Sequence, residues 1–226
     1  MSAPSNLSAK KRSAFDELMT TKPPKGPSLK ILSWRDGLGE YIKNPKANSK
    51  QIISYSDEFT LVRDAYPKAT IHLLLLPHKN SNLHPFEALS DIKFLESVKS
   101  EALKVKELAT GDLLRKFGST RSWNEEIRVG THAIPSMSHL HIHIISKDMH
   151  SESLKNKKHY NSFNTPFFIP LDDFPLEKDD ERRKPTEMGY LNKDFVCWRC
   201  GKNYGKRFVE LKRHLEEEFN KWRNGD

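Results

Sequence analysis

Apolar residues recur along this chain at two spacings, and each spacing marks a kind of element. From Ser28, a suitable N-cap, Leu29, Leu32, Leu38 and Ile42 predict a helix ending near Asn44-Pro45, with Trp34 inside it. Ile52–Tyr55 and Phe59–Asp64 read as strands joined at Ser56-Asp57-Glu58, and Thr70–Leu76 reads as a central strand ended by Pro77. Leu95, Val98, Ala102, Val105 and Leu108, then Leu113 and Leu114, put a long charged helix over Leu83–Phe117, broken near Thr110-Gly111. Glu126–His132 resumes as a strand, and the loop Ala133–Ser138 delivers a second alternating run, His139-Leu140-His141-Ile142-His143-Ile144-Ile145. Successive strand side chains point to opposite faces, so this run sets three imidazoles on one face while Leu140, Ile142 and Ile144 enter a core.

Elsewhere the periodicity lapses. Residues 1–27 are rich in Ser, Pro, Lys and Ala and end in Pro23-Pro24-Lys25-Gly26-Pro27, so a disordered basic tail is expected there. Residues 166–194 read as a connection between a main domain at 28–165 and a small one at 195–226, with Phe167, Phe168 and Ile169 packing back on the main domain. The acidic runs Asp172-Asp173 and Asp179-Asp180-Glu181 suit a charged linker better than a metal site.

A content of 36% hydrophobic and 10% aromatic residues in 226 supports a packed core. Lys and Arg outnumber Asp and Glu by 38 to 30, for a net charge of +8, which favours a polyanionic partner with nucleic acid first. No run approaches the roughly 18–20 apolar residues of a membrane span, and the start lacks a signal-peptide core. A soluble intracellular protein with no membrane partner is the expectation. Lys10-Lys11-Arg12 fits either a nuclear-import signal or a solvated charge cluster, and a nuclear location is expected.

Two stretches carry chemistry. Imidazoles at i, i+2 and i+4 of a strand suit either a zinc site or nucleophilic catalysis on phosphorus, for which a neutral imidazole is effective near neutral pH. Near the end, Cys197-x2-Cys200 is followed by His214 and, one helical turn on, Glu218, the ligand geometry of a small zinc finger, with Glu217 an alternative fourth ligand. The redox reading of Cys-x-x-Cys lacks its usual βαβ context. So small a finger has too few apolar contacts to fold alone, and its metal should be structural.

The run His139–Ile145 resembles the signature of the histidine-triad superfamily of nucleotide hydrolases and transferases, His-Φ-His-Φ-His-Φ-Φ with Φ apolar. Gly130–His139, Leu154–Asn164 and the finger together resemble its aprataxin branch over roughly residues 30–220. That resemblance implies an α+β histidine-triad fold, an antiparallel sheet with flanking helices, plus a small C-terminal zinc finger. It implies His141 as nucleophile toward an adenylate phosphorus, giving an AMP–histidine intermediate that water hydrolyses. The other ring nitrogen would be held by His143 or by a backbone carbonyl. His139, Ser136 and the backbone N–H groups from Ser136 through Met137 to Ser138 are candidate donors to the charged transition state, and His132 would assist the departing phosphate. By the same resemblance Phe59 lies near the base and Asp64 holds the ribose hydroxyls.

The implied substrate is a nicked or double-stranded DNA end carrying a 5′-linked AMP, cleaved to AMP and a 5′-phosphate. Trp34 would stack on the terminal base pair, with Lys155, Lys157, Lys158 and His159 on the backbone and Lys206 and Arg207 serving the finger. One structural Zn²⁺ per chain, no metal in the chemical step, and a monomer are expected. Glu218 departs from the histidine that the family usually has at that ligand position. Two other readings stay open: a hydrolase of small nucleotides such as AMP-lysine or dinucleoside polyphosphates, and a non-catalytic DNA-binding module.

Overall fold

Six strands, most of them buried on both faces, build one antiparallel sheet in the order β1-β2-β3-β5-β4-β6. The strands are β1 (Ile52–Tyr55), β2 (Phe59–Arg63), β3 (His72–Pro77), β4 (Ile127–His132), β5 (Ile142–Ser146) and β6 (Phe168–Pro170). The computed structural model describes residues 34–46 and 50–225, so the expected tail and the start of the helix expected from Ser28 lie outside the described residues. From Ser33 onward the chain is one compact unit.

One face of the sheet presents Leu61, Leu73, Leu75, Ile127, Ile142 and Ile144 to a long helix, α3 (Ile92–Phe117). That helix answers with Phe94, Leu95, Val98, Ala102, Val105, Ala109 and Leu113 at helical spacing, all buried. A short helix, α2 (Pro85–Ala88), precedes it, so the interruption falls before Asp91 and not at the expected Thr110-Gly111. Asp91 caps α3 by accepting the Phe94 N–H at 3.2 Å, while inside the helix the Thr110 hydroxyl donates to Lys106 O at 2.8 Å. Burial of Ala109 and Leu113 on either side outweighs the roughly 1 kcal/mol that a mid-helix glycine costs.

The opposite face divides in two. Val62, Leu74 and Leu76 pack with Leu38 of helix α1 (Gly37–Lys43), whereas Ile145 packs with Tyr160 and Phe163 of helix α4 (Lys157–Asn164) and with the finger. Register places His143 opposite Leu74 on β3 and Gly130 on β4, at the middle of the sheet. Gly130 is required there, since a Cβ would stand 2.3 Å from Ile169 O of β6.

Packing runs across the boundaries expected at 166–194 and 195–226. Phe168–Pro170 is a sheet strand, and Leu171, Phe174, Leu176 and Tyr190 are buried in the α3-side core. The final helix, α5 (Phe208–Asn224), buries Leu211 and Leu215 beside Phe195 and Tyr160. Its Trp222 is fully buried near Phe117 and Trp123, and its indole N–H donates to Glu126 at 2.6 Å. A finger with so little apolar surface of its own is stabilised by sharing the larger core. The acidic runs serve structure: Arg182 binds Asp173 and, at 2.7 Å, Asp180.

Candidate active site and metal centre

A cavity of about 800 Å³ opens on the α1 and α4 side of the sheet, walled by His72, His132, His141 and His143. β4 delivers His132, β5 delivers His143, His141 stands immediately before β5, and β3 delivers His72. The ring centres are close: 4.5 Å for His132 and His143, 4.9 Å for His141 and His143, and 5.1 Å for His72 and His143. Phe163 of α4 packs 4.6 Å from His132 and 5.2 Å from His143.

Hydrogen bonds assign most of the protons. His141 Nδ1 lies 2.8 Å from His139 O, an acceptor, so the neutral ring donates Nδ1–H and keeps its lone pair on Nε2. Of the two holders open to the sequence, the backbone carbonyl is the one used. His72 Nδ1 accepts the Lys68 N–H at 3.2 Å, which puts the His72 proton on Nε2, 2.9 Å from His143 Nδ1. His143 therefore carries its proton on Nε2, which is buried without a partner, as is His132 Nε2.

Burial lowers the pKa of all four imidazoles. His72 falls to about 4 because burial outweighs the pull of Asp64, and His132 and His143 fall well below the usual value through burial and mutual repulsion. Burial also lowers His141, against the hydrogen bond to His139 O. At neutral pH the cluster is uncharged, the state a nucleophilic imidazole needs.

His139 departs from the expected arrangement. The strand begins only at Ile142, and the His139 ring packs on α1, where a Cβ on Gly39 would lie 2.7 Å from its Cε1; it does not line the cavity. Nor is the Ser138 N–H free to serve substrate, since it donates to Arg35 O at 2.8 Å. Ser136 and Met137 do line the cavity. Phe59 is buried in the core beneath α3, away from the cavity; Asp64 is five positions further along, an odd offset, so the two fall on opposite strand faces. The apolar wall is instead Leu38, Val62, Leu74 and Met137, next to Asp64. Asp64 stands 3.5 Å from His72 and accepts the Tyr66 N–H at 2.7 Å. Sequence reasoning passed over His72 and Lys68; the alternation of His72 with Leu74 and Leu76 was the signal.

At the rim, Trp34 is 70% exposed, and Lys155, Lys158 and His159 line the mouth. Lys157 is exposed outside it. On the finger, Lys206 pairs with Asp194 at 3.0 Å and Arg207 with Glu210 at 2.9 Å.

Cys197, Cys200 and His214 bring one ligand atom each within 4.8 Å of one another, with Cys200 Sγ 3.1 Å from His214 Nε2. Two thiols and an imidazole on a knuckle and a helix fit zinc. Glu218 is buried with Oε1 3.7 Å from His214 Nε2, whereas Glu217 is exposed and approaches only Nδ1. Arg199 at 2.9 Å and Lys221 at 3.0 Å hold the Glu218 carboxylate; burial pushes its pKa up, but these two contacts outweigh it and the net shift is downward.

Two family models match: the C-terminal domain of the scavenger mRNA decapping enzyme over residues 39–159, and the C2HE / C2H2 / C2HC zinc-binding finger over residues 164–221. The aprataxin-like protein of Saccharomyces cerevisiae is 38% identical over 212 residues, covering 84% of this chain and 97% of that protein. Aprataxin of Danio rerio is 34% identical over 186 residues, 81% of this chain and 53% of that one. Among solved structures, the aprataxin ortholog Hnt3 in complex with DNA superposes with a TM-score of 0.72 at 35% identity, covering 84% of this chain and 96% of that one. Hnt3 in complex with DNA and guanosine gives 0.72 at 36% identity, covering 84% and 97%. A sheet presenting buried histidines beside a zinc-binding finger, with relatives matched along most of its length, makes this chain a member of the aprataxin family, with the histidine-triad fold.

Proposed function

We propose that this protein is a DNA-end deadenylase: it hydrolyses the 5′–5′ phosphoanhydride between AMP and a DNA end and releases AMP and a 5′-phosphate. The observation that carries the reading is the His141 tautomer, fixed by His139 O so that Nε2 holds the lone pair in a wall of neutral imidazoles. Nε2 attacks the adenylate phosphorus in line; an N–P bond forms as the P–O bond to the DNA phosphate breaks, and that phosphate leaves with the electron pair. Water then attacks the phosphoramidate, returning His141 and giving AMP. The His143 Nε2–H, oriented through His72, and His132 Nε2 are the buried unpartnered groups suited to the developing phosphoryl charge and the departing phosphate.

Leu38, Val62, Leu74 and Met137 take the adenine, and Asp64 takes the ribose hydroxyls. Trp34, Lys155 and Lys158 at the rim meet the DNA end, with Lys157 and His159 beside them and Lys206 and Arg207 on the finger. Structural zinc on Cys197, Cys200, His214 and Glu218 holds the finger, and the protein acts in the nucleus. The solved complexes of the related Hnt3 contain DNA, which supports a nucleic-acid substrate.

The test is AMP release from 5′-adenylated duplex DNA. His141→Ala should abolish it, and acid-quenched wild-type protein should carry AMP on His141; near-normal release by the variant refutes the mechanism. Equal turnover of adenylated DNA and AMP-lysine at every salt concentration would favour the small-nucleotide reading. A metal-binding reading of the cavity has one observation behind it, the proximity of Asp64, His72 and His143, and predicts a second zinc per chain that His72→Gln removes.

A further inference from the structure

A second groove, of about 730 Å³, shares only Phe163 with the histidine cavity. Its walls are α3, β4, the end of α4, β6 and the knuckle residues Val196–Trp198, and no histidine lines it. Leu103 on α3 is 57% exposed and Val196 on the knuckle is 44% exposed, so two aliphatic side chains stand open on opposite walls of one concave surface. Exposed apolar residues scattered singly are ordinary, but a pair facing a shared groove marks a contact site.

The groove is also positive and short of acceptors. Lys99 and Lys106 line it, and among the described residues neither enters an ion pair; Asp172 is its one acidic residue. Arg128 sends Nη1 to Phe163 O at 2.6 Å and lays its guanidinium 5.4 Å from the Phe168 ring centre, but its Nε is buried without a partner. Trp198 Nε1 is likewise buried and unpartnered. Each such donor left unsatisfied is destabilising, and a ligand bringing acceptors relieves it.

We propose that this groove docks an extended acidic peptide segment of a protein partner, in which two carboxylates three residues apart bracket a bulky apolar side chain. Lys99 and Lys106 are two helical turns apart, about 10 Å at 1.5 Å per residue, which three residues of a polyproline II segment at about 3.1 Å each span with both carboxylates on one face. Leu103 lies between them and, with Val196, clamps the apolar side chain; Arg128 Nε and Trp198 Nε1 take acceptors of the segment. The aliphatic rim and Asp172 suit a peptide better than a phosphate chain. The proposal is independent of the deadenylase reading.

Fluorescence anisotropy with the zinc-loaded full chain tests it, using a labelled peptide Gly-Ser-Asp-Phe-Leu-Asp-Ser-Gly, the same peptide with lysines for aspartates, and a labelled oligonucleotide. The acidic peptide should bind saturably and the lysine peptide at least tenfold more weakly. Lys99→Glu/Lys106→Glu and Leu103→Asp, all changes at accessible positions, should each weaken the acidic peptide at least tenfold and leave oligonucleotide binding and AMP release unchanged. The proposal is overturned by non-saturable binding, by equal binding of the two peptides, by variants that bind the acidic peptide as wild type does, or by a double variant that loses the oligonucleotide.

Discussion

Glu218 as the proposed fourth ligand, where the family usually has histidine, would change the charge of the zinc site, and the structure holds a counterweight whose worth is measurable. Zn²⁺ with two thiolates and two imidazoles is neutral, whereas a carboxylate in the fourth position leaves a net charge of minus one. Arg199, on the knuckle between the two cysteines, donates to Glu218 at 2.9 Å, with the carboxylate 4% exposed and the arginine 23% exposed. Partners that orient a metal ligand are worth about 10–100-fold in affinity; a bond this short but partly open to solvent belongs near 30-fold, or about 2 kcal/mol at 1.4 kcal/mol per tenfold. Arg199→Gln should therefore weaken zinc about 30-fold, read by competition with a chromophoric chelator and by loss of α5 helicity as metal is withdrawn. In a Glu218→His background the Arg199–Glu218 pair is absent, and the same change should alter affinity by less than about threefold. An Arg199→Gln effect of equal size in both backgrounds would refute the coupling, and with it the place of Glu218 at the metal.

Three further outcomes follow from the shared core and the buried imidazoles. Trp222→Ala should cost about 3–5 kcal/mol and lower Tm by roughly 8–15 °C in a single calorimetric transition; two separate transitions would show that the finger and the sheet unfold independently. Lowering the pH should destabilise the fold: His72 titrates near 4 when folded and near 6.5 when unfolded, so between those values the unfolded chain binds more protons. The loss for His72 alone reaches about 3 kcal/mol by pH 4, seen as a falling urea midpoint below pH 6.5 that His72→Gln flattens. Chelating zinc should raise KM for adenylated DNA well before it changes single-turnover cleavage at saturating substrate, and equal effects on both would contradict a supporting role for the finger.

Much of this was legible from periodicity, because β5 and α3 are simple amphipathic elements whose buried positions follow from spacing alone. The alternation around His141 placed Leu140, Ile142 and Ile144 in the core, and they are there. What the pattern did not carry was where a strand begins: His139 precedes β5, and its ring settles on α1 at Gly39, which has no Cβ to exclude it. Resemblance puts Phe59 near the base, whereas the residue alone reads as a core phenylalanine, which it is; strand parity counted from Asp64 selects Val62 for the cavity. His72 lay hidden before a run of four leucines, and only register against Ile145 brings it beside His143. Fusion of the finger with the histidine-bearing sheet was invisible because buried aromatics such as Trp222 meet Trp123 from about a hundred positions away in the chain.

That fusion gives the finger a mechanical route to the histidines. Tyr160 on α4 donates its hydroxyl to Val196 O at 2.8 Å and accepts the Trp198 N–H at 3.0 Å, so the helix is pinned to the two knuckle residues that flank Cys197. Asn161, the next residue, donates to Leu191 O and Lys193 O at 3.2 and 2.9 Å and fixes the same helix to the approach to the knuckle. One turn on, Phe163 closes the cavity wall against His72, His132 and His143. The knuckle thus holds α4, and α4 carries Phe163 against the imidazoles and Lys158 and His159 into the cavity lining. Burial lowers the pKa of the imidazoles, so a finger that looks from sequence like an accessory module is bonded to the helix that buries the proposed nucleophile's neighbours.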